Sequence, residues 1–350
     1  MIHRRTLLAG LAATTAARAD EPITIRFGFA NVGVDNRQFS GGNFIATAHA
    51  DHYIDNELKD LPGVKIEYSF FKGAGPAVNE AFANGQLDFA SHGDLPEVIG
   101  RANGLKTLHL LAGGAHAPLY LAVPPGSDIH TVKDLKGRKV ALFRGTNNHL
   151  AAVKVLAANG MTERDIQGIN MDEASANAAL ATRNIDAAFG NYGLLLLVDQ
   201  GLAKIAYTTK GGSPSFERQS SLVASERFVT DHPDLVQRVV TGAVKAAYWS
   251  SQEQNRDALF EIWARSGRPA SVYRADFAGQ TLKYRNTPLI DDYLIEAYRQ
   301  QALQAKEYGL IRRNVSVDGW FELRFLNVAL KQLNLEHFWT RYTADGKPET

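Results

Sequence analysis

Apolar and polar residues alternate along Ile23-Thr-Ile-Arg-Phe-Gly-Phe29, a period of two that predicts a strand with one buried face. A polar loop rich in Gly, Asn and Asp follows over Asn31 to Asn43, and Phe44 to Leu58 reads as a helix. Val64 to Phe70 alternates again as a second strand. Gly73-Ala-Gly-Pro76 opens a helix that Gly85 ends, since proline fits a first turn and glycine suits the residue past a last one. Leu87 to Ser91 is a third strand. His92-Gly-Asp-Leu-Pro96 opens the next helix, with Asp94 placed to cap it and Gly104 closing it; Lys106 to Ala112 is a fourth strand. Strands alternating with helices of about ten residues predict βαβ units and a parallel sheet.

A second series begins at Pro118-Leu-Tyr-Leu-Ala-Val123. Asp134-Leu-Lys-Gly-Arg-Lys-Val-Ala141 leads through a short strand to Gly145-Thr-Asn-Asn-His149 and a helix closed by Gly160. A helix over Asp172 to Arg183, a strand over Ile185 to Phe189, a helix over Tyr192 to Gln200 and a strand over Lys204 to Thr209 complete it. Gln219 to Ala224 reads as a returning strand. From Asp231 onward the periodicity is almost wholly helical, as in Leu235 to Gln252 and Tyr293 to Tyr308, and the polar end from Asp345 is expected to fray. The pattern predicts an α/β chain of two lobes with a helical C-terminal segment. Residues 20–115 and 218–350 form a discontinuous first lobe and 116–217 the second.

The first nineteen residues break this pattern. Met1-Ile-His-Arg-Arg-Thr-Leu-Leu runs into a short apolar stretch and ends in Ala17-Arg-Ala19, which reads as an export signal, Sec or twin-arginine, cleaved before Asp20. It holds Arg4, Arg5 and Arg18 and no acid, so the formal charge of +1 for the 350-residue chain resides in this leader. Near-neutral charge gives no reason to expect nucleic acid or an acidic membrane. Cysteine is absent, which excludes disulfides, thiolate metal sites and a cysteine nucleophile. A soluble periplasmic monomer is the expectation.

Several strand-to-helix turns could carry chemistry: Gly73 to Pro76, His92 to Asp94, Gly145 to His149 and Gly190-Asn-Tyr192. Ligands in open α/β sheets bind outside the carboxyl ends of strands, and helix N-termini there favour anions. Gly145 permits a sharp turn and close approach; Thr146, Asn147, Asn148 and Asn191 can donate to an anion or can simply cap their helices. Asn31, Gly75 and Gly93 stand at or near turns of the same kind, and His92, His116 and His149 fall at the expected mouth of the sheets. Phe39 and Tyr192 are candidate walls for an organic group. His49-Ala-Asp-His52 is a weak metal pattern and reads better as a solvated helix face. There is no Walker loop, HExxH or complete nucleophile elbow, so neither a catalytic residue, a metal nor a cofactor is predicted.

Three stretches together resemble one family: Gly85-Gln-Leu-Asp-Phe-Ala-Ser-His-Gly-Asp94, Asp134 to Ala141 running into Gly145, and Glu307-Tyr-Gly-Leu-Ile311. The chain resembles the periplasmic solute-binding proteins of ABC importers, in the branch that takes up aliphatic sulfonates, taurine and nitrate. The resemblance implies a type II periplasmic binding protein fold whose lobes close on a small anionic solute for delivery to a permease. It places the anion at Gly93 and Asp94, at Thr146 to His149 and at Gly190 to Tyr192. Relatives often have a Trp-Asp-Pro-like turn where this chain has Gly190-Asn191-Tyr192, and the loop from Asn31 to Asn43 is longer than expected. An aliphatic sulfonate is therefore the leading solute, with a pyrimidine, another heterocycle or a carboxylate as the alternative. Members of a neighbouring branch that synthesise thiamine pyrimidine precursors carry a cysteine-rich motif, which this chain lacks.

Overall fold

The computed structural model describes residues 22–349; the export signal expected over residues 1–19 lies outside them. One sheet holds β1 (Ile23–Phe29), β2 (Val64–Phe70), β3 (Phe89–Gly93), β4 (Thr107–Ala117) and β10 (Arg218–Ser225), in the order β2-β1-β3-β10-β4. The other holds β5 (Tyr120–Val123), β6 (Lys139–Leu142), β7 (Gln167–Asn170), β8 (Ala187–Gly190) and β9 (Lys204–Thr208), in the order β7-β6-β8-β5-β9. The chain leaves the first sheet at Ala117 and joins the second at Tyr120; it returns between Thr208 and Arg218.

Neither sheet is wholly parallel, which corrects the sequence expectation. β1 pairs parallel with β2 and β3, but β10 is antiparallel to both of its neighbours. β6 pairs parallel with β7 and β8, while β5 is antiparallel to β8 and β9. Strand alternation in sequence does not encode direction, and each antiparallel strand adjoins a crossing between the lobes rather than following a helix of its own lobe.

Helices α1 (Phe44–Ala50), α2 (Tyr53–Leu58), α3 (Ala74–Ala83) and α4 (Asp94–Ala102) accompany the first sheet, and α5 (Asn147–Ala158), α6 (Glu173–Ala181) and α7 (Gly193–Asp199) the second. The helix expected over Phe44 to Leu58 is thus two, separated at His52, whose φ of 56° cannot continue a right-handed turn. After β10 come α8 (Glu226–Asp231), α9 (Pro233–Ser250), α10 (Arg256–Ala264), α11 (Ala270–Asp276), α12 (Leu282–Arg285), α13 (Asp292–Glu307) and α14 (Arg324–Gln332). Apolar faces of α9 and α14 join Phe27, Phe29 and Phe89 of the first sheet in one core, whereas Val272 of α11 packs with Leu194 and Leu197 of the second lobe. Val140, Val155 and Leu121 centre the second lobe's core. The polar end does not fray: Thr343 N–H donates to Lys347 O at 2.9 Å, and Tyr342 bridges to Pro348. Among the described residues no helix is long and apolar enough to cross a membrane.

Near the crossings, polar contacts bind the two lobes. His116 Nδ1 lies 2.6 Å from Glu217 Oε2, and the imidazole stacks on Tyr284 with ring centroids 3.8 Å apart. Tyr120 Oη donates to Asp276 at 2.8 Å, and the buried Arg285 guanidinium pairs with the same carboxylate at 2.8 Å.

His49 is not on a solvated face. Its ring packs edge-on against Phe29, Phe39, Tyr68 and Phe70, with centroids 4.6 to 5.6 Å away, and its Nδ1 is buried without a partner. Burial pushes its pKa down to about 4. The folded protein keeps this ring neutral while the unfolded chain protonates it below a pKa of about 6.5. The stability it contributes is therefore complete above that pH and is lost as pH falls toward 4. Relative to the parent, His49→Phe should gain stability on acidification, reaching roughly 2 kcal/mol near pH 4 after discounting for the ring's partial exposure. Urea midpoints at pH 7.5 and pH 4.5 measure this; an identical difference at both contradicts the assignment.

Candidate functional site

The carboxyl ends of β1, β3, β6 and β8 face one cleft between the lobes, a cavity of about 710 Å³. That volume falls within the range of roughly 300–1,000 Å³ usual for small-molecule sites. Among the residues singled out from sequence, Asn31, Gly75, His92, Gly93, Thr146, Asn147, Asn148, Asn191 and Tyr192 line it.

Two helix N-termini meet across the cleft. α4 begins after Gly93 and α5 after Thr146, and neither has a side-chain cap. This corrects the capping expected of Asp94, Asn147 and Asn148: the cap positions are Gly93 and Thr146, and the Thr146 hydroxyl donates to Phe143 O at 2.6 Å instead. At α5 the uncapped first-turn N–H groups and the helix dipole both favour an anion, whereas at α4 the Leu95 N–H is already taken by Asp94 Oδ1 at 2.6 Å. The approach is close: a Cβ on Gly93 would stand 3.2 Å from the Asn147 amide of the opposite lobe.

Arg218, the first residue of β10, reaches this junction and is the functional residue that sequence reading missed. Its side chain is only 6% exposed. Nε and Nη2 donate to Pro118 O at 3.1 and 2.6 Å, and Nη1 faces Asn147 Oδ1 at 3.5 Å. None of these partners is a carboxylate, and burial lowers its pKa. The other two arginines lining the cleft do have carboxylates: Arg285 pairs with Asp276 and Arg268 with Glu173. An arginine at a strand start is unremarkable in sequence; only its reach into the joint marks it.

His92 lines the cleft as a neutral ring, because burial pushes its pKa down to about 3. Asn79 Nδ2 donates to Pro96 O at 2.7 Å, which turns Asn79 Oδ1 toward His92 Nε2 at 2.9 Å. The proton is thereby assigned to Nε2, and Nδ1 is an acceptor without a partner. Amide oxygens of Asn31, Asn148 and Asn177, all in the cleft wall, are likewise buried without partners. Asn191 Oδ1 accepts from Gly193 N–H at 2.8 Å. Tyr192 closes one side: its hydroxyl donates to Gly41 O at 2.8 Å across the lobes, and its ring lies where a Cβ on Gly42 would be only 2.7 Å away.

Five other residues singled out from sequence do not line the cavity. Phe39 packs against His49 under the Arg265 guanidinium. Asp94 is buried, accepting from Gln219 N–H at 2.7 Å and Leu95 N–H at 2.6 Å; burial raises its pKa to about 6 against the opposing pull of those bonds. His116 is committed to Glu217 in the hinge. His149 turns back into the second lobe, 2.6 Å from Glu163 Oε1, and its Nδ1 accepts from Gly145 N–H at 3.3 Å. Gly145 has a φ of 76° and shapes that turn. For Phe39, Asp94, His116 and His149 a local partner holds the side chain away from the cleft. Among the described residues no group of three or more His, Cys, Asp or Glu could hold a metal.

Two sheeted lobes joined by paired crossings, with the joint facing a cleft of helix N-termini, define a type II periplasmic binding protein fold. Residues 58–256 match the NMT1/THI5-like family, and the chain belongs to it. It is 30% identical to a putative periplasmic sulfonate-binding protein SsuA from Methylobacillus flagellatus KT, with a TM-score of 0.76 over 92% of this chain and 98% of the other. The alkanesulfonate-binding protein SsuA from Xanthomonas axonopodis pv. citri, solved bound to MOPS, is 25% identical, with a TM-score of 0.71 over 87% and 100% of the two chains. A putative aliphatic sulfonates-binding protein of Escherichia coli is 35% identical over 37% of this chain, a match spanning 40% of that relative's length. The fold alone is shared with the desulfurization enzyme DSZB, at 17% identity and a TM-score of 0.66 over 89% of this chain and 98% of the other.

Closure should depend on the small residue at the α4 N-terminus. Gly93 has φ −99° and ψ 157°, extended backbone that a β-branched residue adopts readily. Gly93→Val would wedge against Asn147, and overpacking of this kind costs about 1–3 kcal/mol. The expected outcome is a solute affinity lowered roughly tenfold to hundredfold in calorimetric titration, with the unfolding midpoint of the solute-free protein little changed. Unaltered affinity would contradict closure at this contact.

Proposed function

We propose that this chain is an extracytoplasmic solute-binding protein that captures a small organic anion, an aliphatic sulfonate first, and delivers it as a monomer to an ABC importer permease. The observation that carries this reading is Arg218, a guanidinium buried between the lobes with no carboxylate partner, beside two uncapped helix N-termini. A sulfonate supplies the missing negative charge and three acceptor oxygens, which N–H and guanidinium donors can share. Binding then favours the closed arrangement because the anion touches both lobes at once. The names of the sulfonate-binding relatives support the same solute class. The unpartnered amide oxygens of Asn31, Asn148 and Asn177 favour a second reading, a heterocyclic solute with N–H donors.

The chain is not read as an enzyme, since its sequence-similar relatives are named as binding proteins.

A thermal-shift screen against sulfonates, nitrate, carboxylates and pyrimidines tests the proposal. A solute present at ~100 times its dissociation constant should add roughly 2.7 kcal/mol of stability. Arg218→Met should lower sulfonate affinity at least about thirtyfold, because the loss of a buried charge partner costs about 2–5 kcal/mol. Steady conversion of any of these solutes, or a sulfonate affinity untouched by Arg218→Met, would overturn the reading.

A further inference from the structure

The cleft does not end at Arg218. It continues outward over the second lobe, where Ala174, Ala178 and Ala181 share one face of α6 at spacings of four and three. Leu196 of α7 and Leu202 just beyond it line the same cavity. Ala174 and Ala178 are exposed, and Leu202, at 41% exposure, is one of four large hydrophobic side chains that stand out from the described surface. Small side chains on one helix beside leucines on the next form an apolar strip along the cavity wall, bordered by Glu173, Asn177 and Gln200.

The opposite wall is a first-lobe turn that also lines the cavity, Val34–Asn36. It is held in place: Val34 N–H donates to Ser266 O at 2.8 Å, Gly33 N–H to Arg37 O at 2.8 Å, and Arg37 Nη1 to Arg265 O at 3.0 Å. Asp35 and Asn36 both adopt left-handed backbone, with φ of 55° and 58°. This turn lies in the loop from Asn31 to Asn43 and lines the same cavity as the α6–α7 face. A two-carbon anion seated at Arg218 would leave that face wet. An alkyl tail would cover it, and apolar area removed from water is favourable at about 25 cal/mol per Å².

We propose that the α6–α7 groove is a subsite for the alkyl tail of the solute, with the anionic head at Arg218 and the tail passing beneath the Val34 turn to the open end at Leu202. The proposal rests on the anion-binding reading above and adds the direction and chemistry of the rest of the molecule. Because the outer end is open, lobe closure does not limit the tail's length.

Calorimetric titration of the full chain with the linear series from ethanesulfonate to octanesulfonate tests it. Affinity should rise about twofold to fourfold with each methylene that enters the groove, the range expected for partial to complete burial. Ala178→Gln, an exposed helix position where glutamine is a good helix former, should flatten the series and leave ethanesulfonate affinity within about twofold. Leu202→Ser should reduce the slope in the same sense. Affinity that does not vary with chain length in the parent, or a series that keeps its slope in both variants, overturns the tail subsite and leaves the head site standing. Absence of binding at every length overturns the anion reading itself, and the subsite with it.

Discussion

Burying a guanidinium costs several kcal/mol unless something negative sits beside it. Arg218 is buried at the joint of the two lobes, and the backbone carbonyl of Pro118 and the Asn147 amide are its partners. Carbonyl dipoles offset part of that cost; an anion between the lobes offsets more. On the proposed reading the solute supplies that charge, which would give it differential affinity for the closed state. The surroundings fit the same logic. Of the two carboxylates that influence Arg218, Asp276 is committed to Arg285 at 2.8 Å and Asp94 to two backbone N–H groups, so neither pairs with it directly. The uncapped start of α5 adds positive potential without side-chain entropy.

Closure is also held by contacts that do not need a solute. Tyr192 reaches Gly41, Arg268 meets Glu173, and Lys72 Nζ lies 3.5 Å from Asp172. The Lys72–Asp172 pair is near solvent and contributes little, whereas Arg268 is buried and holds its carboxylate more firmly. Behind the cleft, the His116–Glu217 pair sits at the crossings, stacked on Tyr284. The hinge is therefore firm in its side chains, and motion must be absorbed by the short crossing segments between Ala117 and Tyr120 and between Thr208 and Arg218.

Much of this was legible in the chain. Ile23 to Phe29 and Val64 to Phe70 are strands over those same residues, because alternation with one buried face is a local signal. The turn at Gly145 and the helix after it were legible for the same reason. Strand direction and the break at His52 were not, since both are decided by what packs nearby rather than by periodicity. The site divided along a similar line. Turn residues such as Gly93, Thr146 and Asn147 do line the cleft, as their place after a strand suggested. His116 and His149 were misplaced because each had a glutamate waiting, Glu217 and Glu163, and sequence does not show which partner a side chain will take. Arg218 was missed for the converse reason: its importance lies in a partner it does not have.

The most direct test is a crystal structure of the protein with hexanesulfonate bound. The account predicts sulfonate oxygens within about 3 Å of Arg218 Nη1 and of first-turn N–H groups of α5, with both lobes touching the head. A sulfonate bound elsewhere, with Arg218 still facing only Pro118 and Asn147, would contradict it.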